Sequence, residues 1–234
     1  MIFFSDMDGT FLNSKKEVTP TGRRALDELA SRGLEFVPCT GRAAAGVPDE
    51  LLEHPAVHYV VSSNGAVVVR LDETAPTDIA RGKVLRSTPL PIEKALAVWN
   101  ISKHYDVTYD VFADGDCFTP RRMWDRLDEF IEDPYILMSM RTTRTPRDEE
   151  VPEILASAHT IERVSMYWKD PADRDAINAQ LAQMPGIDLM RSYPMNIEVM
   201  EKGASKGAAM IWLCEHLGMG AADAVAFGDN INYI

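Results

Sequence analysis

The chain has 234 residues, of which 46% are hydrophobic and 26% charged, a composition typical of a soluble protein with a substantial core. Its 24 Lys and Arg residues are outnumbered by 36 Asp and Glu residues, which gives a formal net charge of −12. Because an acidic surface repels the phosphates of nucleic acids and of anionic lipids, the composition disfavours nucleic-acid and membrane partners. The length allows one large domain or two of modest size.

The cysteines and the apolar runs indicate a cytoplasmic protein. Cys39, Cys117 and Cys214 lie far apart and without CxxC spacing, which argues against a disulfide framework or a zinc site. The N-terminus shows no signal-peptide pattern, and no apolar run approaches the roughly 20 residues of a membrane span. We therefore expect a cytoplasmic protein.

The first 80 residues alternate strand-like and helix-like patterns. "IFFS" is typical of a buried strand, and residues 19–33 of a helix that Thr19 caps and Gly33 ends. "LEFVP" predicts a second strand, and an alanine-rich helical stretch follows it. "HYVVSSNGAVVVRL" predicts two strand-like runs around an Asn-Gly turn. This order predicts an α/β layer with a parallel sheet.

The middle of the chain changes character. From residue 81 to residue 195, charged helices lie between alternating strand-like runs, which indicates a separate α+β unit inserted into the first. Residues 196–234 then return to a strand, a glycine-rich turn, a helix and a last buried strand, "AVAF". The predicted fold is a doubly wound, Rossmann-like core of residues 1–80 and 196–234 that carries an inserted α+β domain.

Four polar clusters follow predicted elements at the places where a parallel sheet binds ligands. In an open parallel sheet, ligands bind at the edge where the carboxyl ends of the strands lie. The clusters are Asp6 with Asp8, Thr40-Gly41-Arg42, Lys206, and Asp229. Carboxylates there can hold Mg²⁺, and a cation together with a lysine can bind a phosphoryl group.

These residue types can perform phosphoryl chemistry. An aspartate can attack phosphorus and form an acyl phosphate, which divides one difficult step into two. Mg²⁺ and Lys206 would neutralise the transferring group. The second acid, two residues on, could protonate the leaving oxygen and later deprotonate water. Gly9 would allow the sharp turn that brings both acids to one centre.

Four motifs in order resemble the haloacid dehalogenase superfamily. "DMDGT" resembles its first motif, "CTGR" the second, "ASKG" the third and "GDN" the fourth. The order and spacing are similar to the Cof-like sugar-phosphatase branch, whose members carry a large α/β cap (type IIB) between the second and third motifs. "SSNGA" is also typical of that branch. The resemblance covers nearly the whole chain, most strongly residues 1–80 and 196–230.

The resemblance implies a role for each matching residue. Asp6 would be the nucleophile and Asp8 the general acid and base, while Thr40 would hydrogen-bond the phosphoryl group and Lys206 would neutralise it. Asp6, the backbone carbonyl of Asp8 and Asp229 would hold Mg²⁺. The phosphate side of the site would be lined by Gly41, Arg42 and Asn64. Asn232 would give polar support.

The resemblance implies Mg²⁺-dependent hydrolysis of a small phosphorylated metabolite, a sugar phosphate monoester, through an aspartyl-phosphate. The inserted domain would select the substrate. A phosphomutase would share this chemistry but return the phosphoryl group to a sugar, and would depend on a bisphosphorylated sugar. A catalytically impaired phosphate-ligand binder is a further alternative.

Other readings of the acid pair fit less well. A calcium loop needs a glycine at its sixth position and an acid at its twelfth, whereas Gly9 is fourth if Asp6 is first. A phospho-accepting receiver domain also combines acids with Thr and Lys, but such domains are much shorter and lack an insert.

The fourth motif departs from the family pattern. Family members usually read GDxxND and continue through a further helix and strand, whereas this sequence reads "GDNINYI". Tyr233 stands where a second acid is expected. This departure predicts a truncated C-terminal edge of the core, weaker support for the metal site and an open sheet edge. Because an open edge is prone to association, we expect a monomer or weak self-association.

Overall fold

The computed structural model describes residues 1–229, which form two compact units. The first unit comprises Met1–Thr88 together with the described residues from Ala204 onward, and the second comprises Pro89–Gly203. The first part of the first unit contains these elements in chain order: β1 (Ile2–Ser5), α1 (Pro20–Ser31), β2 (Glu35–Pro38), α2 (Asp49–Leu52), β3 (Tyr59–Ser62), β4 (Val67–Arg70) and β5 (Lys83–Ser87).

The second unit is a mixed α+β insert. Its elements, in chain order, are α3 (Ile92–Ser102), β6 (Asp110–Ala113), β7 (Asp116–Pro120), α4 (Arg121–Trp124), α5 (Leu127–Phe130), α6 (Pro134–Thr143), β8 (Thr145–Arg147), α7 (Val151–Ser157), β9 (Ile161–Tyr167), α8 (Pro171–Leu181), β10 (Ile187–Met190) and β11 (Asn196–Glu201). The chain then returns to the first unit with α9 (Lys206–His216) and β12 (Ala224–Phe227).

The helix α1 forms where its end signals predict it. The Thr19 hydroxyl accepts the backbone N–H of Gly22 at 3.0 Å, and Pro20 occupies the first turn, where a missing N–H costs nothing. Gly33 follows the helix with a φ of +62°, a conformation that glycine adopts without strain. The alanine-rich stretch differs from its prediction: it forms a 3₁₀ turn, Ala44–Gly46, and the four-residue α2, because Pro48 interrupts a continuous helix.

The sheet of the first unit places β1 between two parallel neighbours. β12, β1 and β2 pair in parallel, in that order. A parallel bridge between Cys39 and Val61 continues this sheet from β2 to β3, and β4 and β5 then add antiparallel strands. The carboxyl ends of β12, β1, β2 and β3 therefore lie along one edge.

Helices cover both faces of this sheet. Leu26 of α1 and Leu51 of α2 share a buried cluster with Phe36 of β2. Leu213 of α9 lies in a different buried cluster, with Phe4 of β1 and others. Helices on both faces of a parallel sheet define the doubly wound class, so the predicted α/β fold is confirmed.

The second unit is built on a six-stranded sheet of order β10-β11-β9-β6-β7-β8, antiparallel except for the β7 and β8 pair. The helices α3, α7 and α8 contribute Val98, Ile154 and Ile177 to a large core on one face. On the other face, α5 and α6 pack around Tyr167 of β9. Successive strand residues point to opposite faces, so one strand serves both cores.

The division between the units lies several residues from the predicted limits of 81 and 195. β5 pairs with β4, which keeps residues 83–87 in the first unit. β11 pairs with β9, which keeps residues 196–201 in the second. No helix within residues 1–229 has the length and apolar character needed to cross a bilayer.

Candidate active site

Asp6 stands directly after β1, at the carboxyl edge of the first unit's sheet. Its backbone N–H donates to the carbonyl of Phe227 at 2.9 Å, so the pairing of β1 with β12 continues to this residue. The N–H of Met7 donates to Asp6 Oδ1 at 2.7 Å, which fixes the orientation of the carboxylate. Asp6 is only 7% exposed, so its charge is held in a largely dry environment.

Lys206, the first residue of α9, provides the counter-charge to Asp6. Its Nζ lies 2.6 Å from Asp6 Oδ2, and the whole residue is 1% exposed. Burial raises the pKa of Asp6, the charge and hydrogen bond of Lys206 oppose this rise, and the negative charge of Asp229 adds to it. The structure thus places a buried carboxylate against a buried ammonium, with a second carboxylate in electrostatic range.

The turn between β3 and β4 supports the start of α9. Ser63 and Asn64 both adopt left-handed backbone conformations, with φ of 49° and 57°, and Gly65 follows with φ of 90°. A Cβ atom on Gly65 would lie 2.1 Å from the carbonyl oxygen of Ser205 and 2.7 Å from the backbone nitrogen of Lys206. Only glycine permits this approach, and the approach holds the residue that carries the ammonium.

Thr40 follows β2 and belongs to the same edge. Its N–H donates to the carbonyl of Val61 at 2.8 Å, and its carbonyl accepts the N–H of Asn64 at 2.9 Å. Thr40 and Asn64 are 1% and 2% exposed. A Cβ on Gly41 would lie 3.0 Å from Asn64 Oδ1, so the second motif and the Asn64 turn are in close contact.

Asp8 and Arg42 form a two-pronged ion pair. Arg42 Nε donates to Asp8 Oδ2 and Nη2 to Oδ1, each at 2.8 Å, while Nη1 donates to the carbonyl of Gly46. Lys16 adds a third contact, with its Nζ 2.9 Å from Asp8 Oδ1. Partial burial opposes ionisation of Asp8, but these donors outweigh it and lower its pKa to about 2.

Asp229 follows β12 and lies over the glycine of the first motif. Gly9 has a φ of 85°, and a Cβ there would lie 2.5 Å from Asp229 Oδ2. Within residues 1–229, no cation forms an ion pair with Asp229, whose carboxylate acts electrostatically on Asp6. A larger residue at position 9 would displace this carboxylate.

The structure therefore gathers most of the predicted site residues in the first unit. It joins Asp6 to Lys206, Thr40 and Gly41 to Asn64, and Gly9 to Asp229. Arg42, predicted on the phosphate side, contacts the carboxylate of Asp8. Asn232 and Tyr233 lie outside the described residues.

The sequence analysis did not identify two residues that contribute contacts to this site. Lys16 belongs to the polar run "NSKKE", in which nothing distinguishes it from its neighbour Lys15. Gly65 was visible as part of a turn signal, but its contact with Ser205 joins positions that are far apart in the chain. No local sequence pattern predicts a contact between residues so far apart in the chain.

A family comparison agrees with this geometry. Residues 3–234 match the family model of the haloacid dehalogenase-like hydrolases. The chain belongs to this family. The resemblance predicted from the four motifs is thereby confirmed, and so is the expectation that the protein is an enzyme of the hydrolase class.

Several named phosphatases are similar to this hydrolase. It is 27% identical to the putative phosphatase YxeH of Bacillus subtilis, over 97% of this chain and 80% of the relative. It is 27% identical to an HMP-PP phosphatase of Yersinia pestis, over 97% of this chain and 76% of the relative. It is 23% identical to the pyridoxal phosphate phosphatase YbhA of Escherichia coli, over 98% of this chain and 81% of the relative.

Solved structures share the fold. A haloacid dehalogenase-like hydrolase from B. subtilis superposes with a TM-score of 0.77 at 23% identity, covering 99% of this chain and 84% of that chain. A subclass IIB sugar phosphatase of the same superfamily superposes with a TM-score of 0.75 at 16% identity, covering 99% and 81%. At these identities the likeness concerns the fold alone.

Proposed function

We propose that this hydrolase is a Mg²⁺-dependent phosphatase that cleaves the phosphate monoester of a small metabolite, a sugar phosphate, through an aspartyl-phosphate. The observation that carries the proposal is the buried contact between Asp6 and Lys206, at 2.6 Å, on the carboxyl edge of a parallel sheet. An ionised carboxylate held against an ammonium is suited to attack phosphorus, because the cation offsets the charge of the incoming phosphoryl group.

The proposed reaction assigns one task to each side chain. Asp6 attacks phosphorus, and the bond to the leaving oxygen breaks as that oxygen takes a proton from Asp8, whose pKa of about 2 in the free protein must rise as the anionic substrate binds beside it. Asp8 then removes a proton from water, which attacks the phosphorus of the acyl phosphate and returns Asp6 as a carboxylate. Thr40 and Lys206 hydrogen-bond the phosphoryl oxygens, whose charge they stabilise throughout.

The donor set near Asp6 fits Mg²⁺. The carboxylates of Asp6 and Asp229 are close enough for one to raise the pKa of the other, and Lys206 supplies a single positive charge against the two. All the proposed donors are oxygens, the type that Mg²⁺ prefers: Asp6, the backbone carbonyl of Asp8 and Asp229. Within residues 1–229, no group of three or more Asp, Glu, His or Cys side chains is arranged to hold a metal ion. The proposed site needs only two side chains, those of Asp6 and Asp229, because its third donor is a backbone carbonyl. When bound, the ion would supply positive charge for the phosphoryl oxygens.

The substrate class follows from the relatives as part of the same proposal. Their names include an HMP-PP phosphatase, a pyridoxal phosphate phosphatase and a sugar phosphatase. All three names denote enzymes that act on small phosphorylated compounds. A small phosphorylated metabolite as substrate and a cytoplasmic location are consistent with the acidic composition.

The test is phosphate release from 4-nitrophenyl phosphate and from a panel of sugar phosphates, with Mg²⁺ and with EDTA. We expect release that Mg²⁺ supports and EDTA removes. The absence of Mg²⁺-dependent release from every compound would contradict the proposal. Transfer of the phosphoryl group to a sugar, dependent on an added sugar bisphosphate, would identify a phosphomutase instead.

A further inference from the structure

A β-bulge turns an arginine of β5 toward α9. The pairing of β5 with β4 shifts by one residue after Val68, which lies opposite Arg86, so Leu85 is an extra residue on β5. In a regular strand, successive side chains point to opposite faces of the sheet. Here Leu85 packs against the buried cluster that contains Leu213 of α9, and Arg86 hydrogen-bonds the backbone of α9. The bulge allows these two neighbouring residues to contact the same helix.

The guanidinium of Arg86 lies against the beginning of α9. Its Nη1 donates to the carbonyl oxygen of Ala208 at 2.6 Å, two residues after Lys206. Its Cζ lies 5.9 Å from the centre of the Trp212 ring, which stacks on the ring of His216 with centroids 4.8 Å apart. Because residues four apart share one face of a helix, the carbonyl and the two rings form a single stripe of α9, and Arg86 covers its first part.

The stability of α9 does not explain this position. The N-terminal end of a helix carries a partial positive charge, so a cation beside the first turn is unfavourable for the helix dipole. Arg86 is partly buried, and within residues 1–229 no carboxylate forms an ion pair with it that would offset this cost. The first turn of α9 carries Lys206, whose Nζ lies 2.6 Å from Asp6 Oδ2.

Two parts of the same antiparallel sheet support the start of α9. The turn between β3 and β4 packs against it, since a Cβ on Gly65 would lie 2.1 Å from the carbonyl oxygen of Ser205. The strand β5 holds it through the hydrogen bond from Arg86 to Ala208. Packing stops the helix from moving nearer to the turn, whereas the hydrogen bond stops it from moving away from β5.

We propose that Arg86 is a positioning residue, which fixes the first turn of α9 and thereby holds the ammonium of Lys206 where it binds the phosphoryl group. This inference rests on the proposed function, in which Lys206 hydrogen-bonds the phosphoryl oxygens. Arg86 acts through the helix and does not itself contact the substrate. A displacement of about 1 Å in a group that meets the substrate can cost about 10²-fold in rate, so a contact two residues from Lys206 is close enough to affect turnover.

A purely structural contact would stabilise α9 without altering the kinetics of the folded protein. A double-mutant cycle separates the two roles. A residue that acts through Lys206 has nothing to act on once the ammonium is removed, so its own substitution then has little further effect.

The experiment measures kcat/KM for 4-nitrophenyl phosphate and the inhibition constant of inorganic phosphate in the 234-residue protein, with circular dichroism to show that each variant is folded. Arg86→Met removes the donor, so kcat/KM should fall about five- to tenfold. The inhibition constant should rise at least about threefold, because phosphate loses part of its contact with the ammonium. In the Lys206→Met background, Arg86→Met should lower kcat/KM by less than about twofold.

Two further variants of Arg86 and one control complete the set. Arg86→Lys keeps a donor within reach of the Ala208 carbonyl and should recover most of the wild-type kcat/KM. Arg86→Gln has too short a side chain to reach that carbonyl, so it replaces Arg86→Met if the latter does not fold. Arg70→Met removes an exposed arginine of the neighbouring strand β4 and should leave both constants unchanged.

The contrary results are distinct from one another. Wild-type kinetics in Arg86→Met would overturn the inference, even if urea denaturation shows that this variant is less stable. An equal fall in the wild-type and Lys206→Met backgrounds would show that Arg86 acts independently of the ammonium, and would overturn it as well. So would a failure of Arg86→Lys to recover activity. These results leave the proposed phosphatase function intact, whereas a wild-type protein that cleaves no phosphate ester would overturn both that function and this inference.

Discussion

The ammonium of Lys206 lies 2.6 Å from Oδ2 of Asp6, although the two residues are 200 positions apart in the sequence. The contact forms inside one unit, because the chain leaves that unit after Thr88 and returns to it at Ala204. A buried ion pair of this kind costs free energy of desolvation, which the attraction between the two charges and the hydrogen bond from Met7 to Asp6 counteract. Such a pair is better explained by a chemical task than by stability.

The first prediction concerns the nucleophile. Asp6→Asn should reduce turnover of 4-nitrophenyl phosphate to below about 1% of wild type, because the amide has the shape of the carboxylate but cannot attack phosphorus. Circular dichroism should show an intact fold. Asp78→Asn makes the same change at an exposed aspartate of the same unit and should have wild-type activity. A residual rate of several per cent in Asp6→Asn would rule out this role.

The second prediction concerns the ammonium. Lys206→Met keeps the length of the buried side chain and removes its charge, so kcat/KM should fall about 10²- to 10³-fold, the range for loss of one donor to a developing charge. The inhibition constant of inorganic phosphate should rise at the same time. Lys202→Met removes the charge of an exposed lysine and serves as the control. Unaltered phosphate inhibition in Lys206→Met would show that the ammonium does not contact the phosphoryl group.

The third prediction concerns the turn that supports Lys206. Gly65→Ala should lower the free energy of unfolding by about 2–4 kcal/mol, because the added Cβ meets the Ser205 carbonyl at 2.1 Å and the backbone is left-handed. Gly33→Ala shares the left-handed backbone but has nothing within 4 Å, so it should cost only about 1 kcal/mol. Urea denaturation measures both. Equal losses in the two variants would mean that the close approach of Gly65 has no energetic consequence.

The fourth prediction concerns pH and the ion pair of Asp8. The folded pKa, about 2, lies below the ordinary value of 3.8, so the pair stabilises the protein above pH 4 and this stabilisation is lost as the pH falls from about 4 to about 2. After a discount for the partly exposed site, the contribution is about 1 kcal/mol. The difference in unfolding free energy between wild type and Asp8→Asn should shrink over this interval. A difference that stays constant from pH 6 to pH 2 would contradict the assignment.

The fifth prediction concerns the metal. Asp229→Asn removes one of the two proposed carboxylate ligands, so the Mg²⁺ concentration for half-maximal activity should rise by at least about tenfold. The exposed Asp78→Asn variant should show the wild-type requirement. If Asp229→Asn and wild type respond to Mg²⁺ alike, Asp229 is not a ligand.

The family and the fold class could be predicted from the sequence because both depend on short-range patterns. "IFFS" followed by "DMDGT" combines a buried strand with a motif of five consecutive residues, and both lie within one element and its following turn. Thr19 and Gly33 mark the ends of α1 by local hydrogen bonding and backbone conformation, which neighbouring residues determine. Asp6, Thr40 and Asp229 could be proposed as site residues because the carboxyl ends of parallel strands lie at one edge of a sheet. Lys206 follows β11, which belongs to the antiparallel sheet of the second unit, so its motif and not its strand placed it correctly.

The contacts of individual side chains depended on the tertiary structure. The sequence suggests a phosphate role for Arg42, and only the folded chain shows its guanidinium on the carboxylate of Asp8, 34 positions away. Likewise, no local pattern separates Lys16 from Lys15, and none shows that Gly65 lies against Ser205. Periodicity and motifs report which face or edge a residue occupies, whereas the partner of a long, charged side chain is decided by which distant segment the fold brings within a few ångströms of it.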